Sequence, residues 1–185
     1  MTLHLPRKEE PRDEGLSHFS VVIVRLPADV GRLNLPYGLA VTLAEAIAPY
    51  MARWAHEQER RILRDGVPLP PDALAFAREL GISRSEEVRV LVIQPIPLPA
   101  PPWCVHLARR FGLPVFAPGG MALGRGVFLA KGQWGSLHHE LVHVWQYQES
   151  GGMLPFFRKY LRECLMDGYL EAPLEMEARA LAMRD

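Results

Sequence analysis

Apolar residues recur along this chain in two rhythms, and together they predict an α+β domain. Phe19 to Leu26 (FSVVIVRL) is short, β-branched and closed by Pro27, the pattern of a buried strand. Leu39, Leu43, Ile47, Met51 and Trp54 return every three or four residues, which predicts a long amphipathic helix running to about Arg64 and kinked at Pro49. Its charged end, His56 to Arg64, reads as a solvated face. Gly66 and the Pro-rich VPLPP close that segment. Asp72 is expected to cap a short helix ending near Gly81, and Val88 to Gln94 reads as a second strand. The following PIPLPAPPW cannot continue a ladder, because proline has no N–H to donate, and it reads as an extended crossover. Trp103 to Phe111 is expected to form another short helix, carrying His106 as a surface or packed residue.

In the second half, Met121 to Lys131 reads as one strand bent at Gly124 and Gly126, or as a tight hairpin across Gly124, Arg125 and Gly126. Ser136 is a plausible cap for the next helix, which Gly151 and Gly152 would stop. Pro155 opens a further helix with Phe156, Phe157, Tyr160, Leu161, Cys164 and Leu165 on its apolar side, ended by Gly168. Pro173 opens the last one, PLEMEARALAM.

The chemistry concentrates in Leu137 to Tyr147, LHHELVHVWQY, where His139, Glu140 and His143 form H-E-x-x-H. Residues four apart on a helix differ by only about 40° in azimuth, so the two imidazoles face one point, the geometry for sharing a metal ion. Glu140, next to the first histidine, reaches past direct ligation and is placed to act as a general base on a metal-activated water. An incidental pair on an amphipathic helix is the plainer reading. Leu137, Leu141, Val144 and Trp145 already supply an apolar side, however, and two buried imidazoles without partners are costly. A zinc site wants a third protein ligand. Glu175 and Glu177 are the candidates, and they point to nearly opposite sides of their helix, so only one can face the metal. His138, rotated about 100° from His139, would only cap or line the cleft.

These residues resemble the zincin metallopeptidases, most specifically through His139, Glu140 and His143. MALGRGVFLAKG is similar to the edge strand that precedes the active-site helix of that fold, and PLEMEA to its glutamate-bearing helix. The resemblance covers Met121 to Met183. It extends to the gluzincin branch, whose third ligand is a Glu on a later helix. Glu175 in E-x-x-A with Ala178 matches that pattern, so the resemblance implies His139, His143 and Glu175 as ligands to Zn2+. Glu140 is then the catalytic base, which passes its proton to the leaving amine. The edge strand would bind an extended peptide by added-strand pairing. Tyr169, just before the ligand helix, or Tyr147 would stabilise the oxyanion, with Tyr169 preferred. Arg179 stands where the family often has an Asp that orients a ligating His, which leaves that supporting role unassigned.

Composition sets the outer bounds. The chain has 185 residues, with Lys plus Arg and Asp plus Glu both 21, and this balance favours neither nucleic acid nor an acidic membrane surface. The N-terminal residues lack the apolar run of a signal peptide, and no segment reaches the roughly 18 continuous apolar residues of a membrane span, so a cytoplasmic location is expected. Cys104 and Cys164 are not in ligand spacing and read as reduced thiols. The expectation is therefore a mobile arm over residues 1–17 and one small α+β, zincin-like domain over 18–185. It would have a short mixed sheet, a long N-terminal helix and an H-E-x-x-H helix, and would act as a zinc-dependent metallopeptidase on a peptide or protein. A non-catalytic protein of the same fold, with a structural metal or a partner-binding cleft, is the alternative.

Overall fold

The computed structural model describes residues 36–100 and 118–183. The arm over residues 1–17, the strand expected over Phe19 to Leu26 and the helix expected over Trp103 to Phe111 lie outside the described residues. Those described form an α+β fold, mostly helical, with five helices and a small mixed sheet of four strands. None of the helices described is long and apolar enough to cross a membrane.

Helix α1 spans Tyr37–Asp65 and continues through Pro49. That ring lies on the exposed side, facing water. The buried stripe of α1 is not the expected series of large residues. It is Ala40, Ala44, Ala48, Ala52 and Ala55 with Ile62, while Leu39 and Ile47 are exposed. Small side chains on that stripe let α1 lie close along α4 (Met153–Asp167), its most extensive partner. The charged end of α1 is not wholly solvated either, since Glu59 accepts the backbone N–H of Arg125 at 2.9 Å.

Strands β1 (Val67–Pro68), β2 (Arg89–Val92), β3 (Gly120–Leu123) and β4 (Gly126–Leu129) run in the order β1-β2-β4-β3. The pairing of β2 with β4 is parallel and the other two are antiparallel. Pro68 is tolerated because β1 is an edge of two residues. Between β1 and β2, helix α2 (Pro71–Glu79) has Pro70 at its N-cap, so Asp72 lies inside the first turn and is not the cap expected of it. All four residues of β4 are buried, with α1 and α3 (Leu137–Glu149) both packed against it. Of the two forms open for Met121 to Lys131, the chain adopts the hairpin. Leu123 faces Gly126 across Gly124 and Arg125, and Gly124 takes φ +63°, the left-handed value that a two-residue turn of this kind requires. A Cβ there would collide with the Glu59 carboxylate.

Helix α3 occupies the interior, packed on β3, α2 and α5 (Pro173–Ala182). Ser136 stands at its N-cap position but makes no side-chain cap. Gly151 and Gly152, at φ +81° and +119°, turn the chain into α4. Helix α4 starts at Met153, two residues before Pro155, and Pro173 begins α5 as expected. The N-terminus of α5 is secured by buried Glu163, whose carboxylate accepts the Leu174 N–H at 3.0 Å. Helices α3 and α5 thereby lie side by side, and the ligand candidates of both meet.

Candidate metal centre

His139 and His143 lie one turn apart on the inner face of α3, and Glu175 comes from the first turn of α5. His139 Nε2 and His143 Nε2 are 3.1 Å apart. Glu175 Oε2 is 3.4 Å from the first, and Glu175 Oε1 is 3.5 Å from the second. Ligands at 2.0–2.1 Å in a tetrahedral zinc site stand about 3.3 Å from one another, so these spacings match a shared ion. The three residues, His143 and Glu175 buried and His139 half-buried, form a cluster that could hold a metal ion. The residues present also fit a metal by their unmet need. Glu175 is only 2% exposed, and its Oε2 is a buried oxygen with no hydrogen-bond partner. Such an orphan is costly unless a cation answers it. Two imidazoles and a carboxylate suit zinc, and the same set also suits Fe(II), Mn(II) or Co(II).

The electrostatics follow from this packing. Burial works against ionising Glu175, but the two imidazoles and the Tyr160 hydroxyl outweigh it and hold the carboxyl far below the usual carboxylate range. Burial likewise disfavours a charged His143, yet the neighbouring Glu175 and Glu140 carboxylates lift it above the ordinary imidazole value. Tyr160 donates to Glu175 Oε1 at 2.8 Å. The sequence assigned Tyr160 only to an apolar face, and nothing local to it signals the contact, because the partner lies on another helix.

Glu177 is exposed and does not join the cluster, although it serves it indirectly. Gln146 Oε1 lies 2.7 Å from His143 Nδ1, and the Gln146 amide nitrogen donates to the Leu174 carbonyl at 2.9 Å and to Glu177 Oε2 at 2.8 Å. Gln146 thus makes the contact to His143 Nδ1 for which the sequence assigns no residue. Its location three residues after His143, on the same helix face, was the available signal. Arg179 instead directs its guanidinium at the Leu170 carbonyl, with Nη1 3.9 Å from Glu175 Oε2. His138 stays out of the cluster and stacks on Phe76 with ring centroids 4.4 Å apart.

Glu140 points toward β3. In the two-residue hairpin, Leu123 and Gly126 are the hydrogen-bonded pair, so the N–H and C=O of Ala122 face away from β4. Both are taken by α3: the N–H donates to Glu140 Oε2 at 2.9 Å, and the carbonyl accepts the buried Tyr147 hydroxyl at 3.3 Å. The edge of β3 is therefore closed at Ala122, which removes that residue from added-strand pairing and commits Tyr147 to a backbone oxygen. Glu140 has room only because position 120 is glycine, since a Cβ there would stand 2.6 Å from Glu140 Cγ and Oε1. Burial raises the Glu140 carboxyl above its usual range, opposed by His143 and His139 and by the Ala122 N–H. Tyr169 sits in the 3-10 turn before α5, half exposed, with its phenol raised by burial and by the negative charge of Glu175 and Glu140.

The chain matches no protein-family model, no curated protein and no solved structure.

Proposed function

We propose that this chain is a zinc-dependent hydrolase of the peptidase type, on a zincin-like fold, acting in the cytoplasm on a peptide or protein. The observation that carries the reading is the joint geometry of half-buried His139 with buried His143 and Glu175, their ligand atoms 3.1 to 3.5 Å apart, and a buried carboxylate, Glu140, one residue from the first of them. When bound, a divalent cation supplies Lewis-acid polarisation of a carbonyl and acidifies water. Glu140 accepts a proton from the attacking water as the water oxygen bonds to the carbonyl carbon. It then delivers that proton to the amine nitrogen as the C–N bond breaks. Burial raises the Glu140 carboxyl above its usual range, the direction that makes it a stronger base toward the attacking water. Tyr169, kept protonated by its surroundings, is the donor we assign to the developing oxyanion.

One observation favours the non-catalytic alternative. Glu140 and Tyr147 occupy the outward backbone groups of Ala122 that an added peptide strand would use. Glu140→Gln separates the two readings. The enzyme keeps about one zinc per chain, measured by mass spectrometry on untagged protein, and loses hydrolysis across a peptide library. A protein whose metal is structural loses neither metal nor stability and has no hydrolysis to lose. Zinc lost with Glu175→Ala and retained with Glu177→Ala fixes the third ligand. A parent chain that binds no metal after zinc is added back sinks the proposal.

A further inference from the structure

Gln146 is only 2% exposed, yet it uses every polar hydrogen and an acceptor lone pair of its amide on groups belonging to the cluster's frame. The amide orientation is fixed by what surrounds it. Leu174 O and Glu177 Oε2 are both acceptors, so the atom facing them carries the two N–H donors, and the atom facing His143 is the carbonyl oxygen. An oxygen 2.7 Å from Nδ1 requires that Nδ1 carry the hydrogen. A neutral His143 then has its lone pair on Nε2, the atom that faces His139 and Glu175. The same amide grips the backbone carbonyl of Leu174, the residue immediately before Glu175. One side chain therefore sets the tautomer of one ligand and the approach of the helix that carries another.

We infer that Gln146 is the positioning residue of the metal cluster, holding His143 in its Nδ1–H tautomer and tying α5 to α3 so that His143 Nε2 and Glu175 converge on one cation. The inference deepens the proposed metal centre and rests on it. An amide suits this role better than a carboxylate. It must accept from an imidazole while donating to two oxygens, one of them the Glu177 carboxylate. A glutamate at position 146 keeps the acceptor and loses both donors. An isosteric methionine loses all three. Glu177, exposed on the rim, braces the amide from outside, so its removal loosens the orientation without opening the core.

The full chain tests this with two readouts. Zinc affinity is measured by chelator competition, and the His143 tautomer of the metal-free protein by two-bond 1H–15N correlation at a pH high enough that the ring is neutral. The parent is expected to show the Nδ1–H form. Gln146→Met is expected to show a tautomer mixture and to bind zinc roughly 10- to 100-fold more weakly, the range for loss of a group that orients a ligating histidine. Gln146→Glu keeps the Nδ1–H form, because its carboxylate still accepts that hydrogen. If Gln146→Met fails to fold, Glu177→Ala decides. Zinc binding weakened by roughly threefold or more supports the inference, and parental affinity overturns it. Gln146→Met with parental affinity and an unchanged tautomer also overturns it, while leaving the metal centre intact. A parent chain that binds no zinc overturns both, so the two failures are told apart by the parent alone.

Discussion

Replacing Tyr160 by Phe removes one hydroxyl from the wall of the cluster and leaves its packing unchanged, because the ring stays stacked on Phe156 with centroids 5.4 Å apart. The hydroxyl donates to the ionised Glu175 at 2.8 Å in a buried setting. Hydrogen bonds to charged groups contribute about 1.5–3 kcal/mol to stability, and losing the donor leaves both Glu175 oxygens short of partners. The burial and negative surroundings of Tyr160 push its phenol well above the usual value, so it is a donor throughout the accessible pH range and the effect will not fade near neutrality. For a chain of this length about 2 kcal/mol corresponds to roughly 4–8 °C in Tm, read by calorimetry on metal-free protein. Zinc affinity should fall as well, by roughly 10- to 100-fold, because the carboxylate loses the group that orients it. A Tyr160→Phe protein with Tm within about 1 °C of the parent and the same zinc affinity would refute the reasoning that Glu175 is held ionised for a cation.

Two further outcomes probe neighbouring parts of the site. Gly120→Ala sets a methyl 2.6 Å from Glu140 Cγ and Oε1, and the carboxylate cannot retreat without leaving the Ala122 N–H, so denaturant unfolding should report a loss of about 1–3 kcal/mol while zinc content is unchanged. Parental stability would mean that Glu140 is not confined against β3. The Cys164 thiol is pushed up to about 12, first by burial and then by the charge of Glu175. Three units above a free thiol, offset in part by greater intrinsic nucleophilicity, leave alkylation at pH 8 slower by roughly 30-fold, followed at the Cys164 peptide by mass spectrometry. Zinc on Glu175 should speed that reaction, and an equal rate with and without zinc would show that the ion sits elsewhere.

What the sequence disclosed of this site, and what it withheld, divides by distance along the chain. His139 and His143 were legible because the spacing that puts them on one face is a property of a single helix. Glu175 followed from a family pattern, and the helix that carries it begins at the proline read as its start. Gln146 was signalled only by its place one turn after His143; its Leu174 partner and the Glu175 partner of Tyr160 lie 28 and 15 residues away, on an element whose docking no periodicity reveals. The long helix shows the same limit differently. Its apolar series picked out Leu39 and Ile47, whereas burial follows alanines, because the facing helix α4 comes too close for larger side chains. The two-residue strand β1 hid inside a Pro-rich stretch for a related reason: an edge needs only a partner, and here the partner is β2.

Half of the buried polar groups fall on one helix. Among the described residues, three of the six buried polar side chains, Glu140, His143 and Gln146, belong to α3, which is otherwise packed with Leu137, Leu141, Val142 and Val144. Apolar residues of similar volume at such positions are commonly neutral or stabilising, so stability alone does not explain them. A cation explains His139, His143, Glu175 and the orphan Oε2, and with them the amide of Gln146. It does not explain Glu140, which coordinates nothing in this geometry and is nonetheless buried, with a glycine opposite it that leaves room for its carboxylate. A structural metal site gains nothing from a second buried carboxylate next to its ligands, and an apolar side chain would fill that space without desolvating a charge. A hydrolytic site needs such a carboxylate within reach of the attacking water. The fit of β3 to Glu140 therefore weighs on the catalytic side, against the closed edge at Ala122, and replacement of Glu140 separates the two.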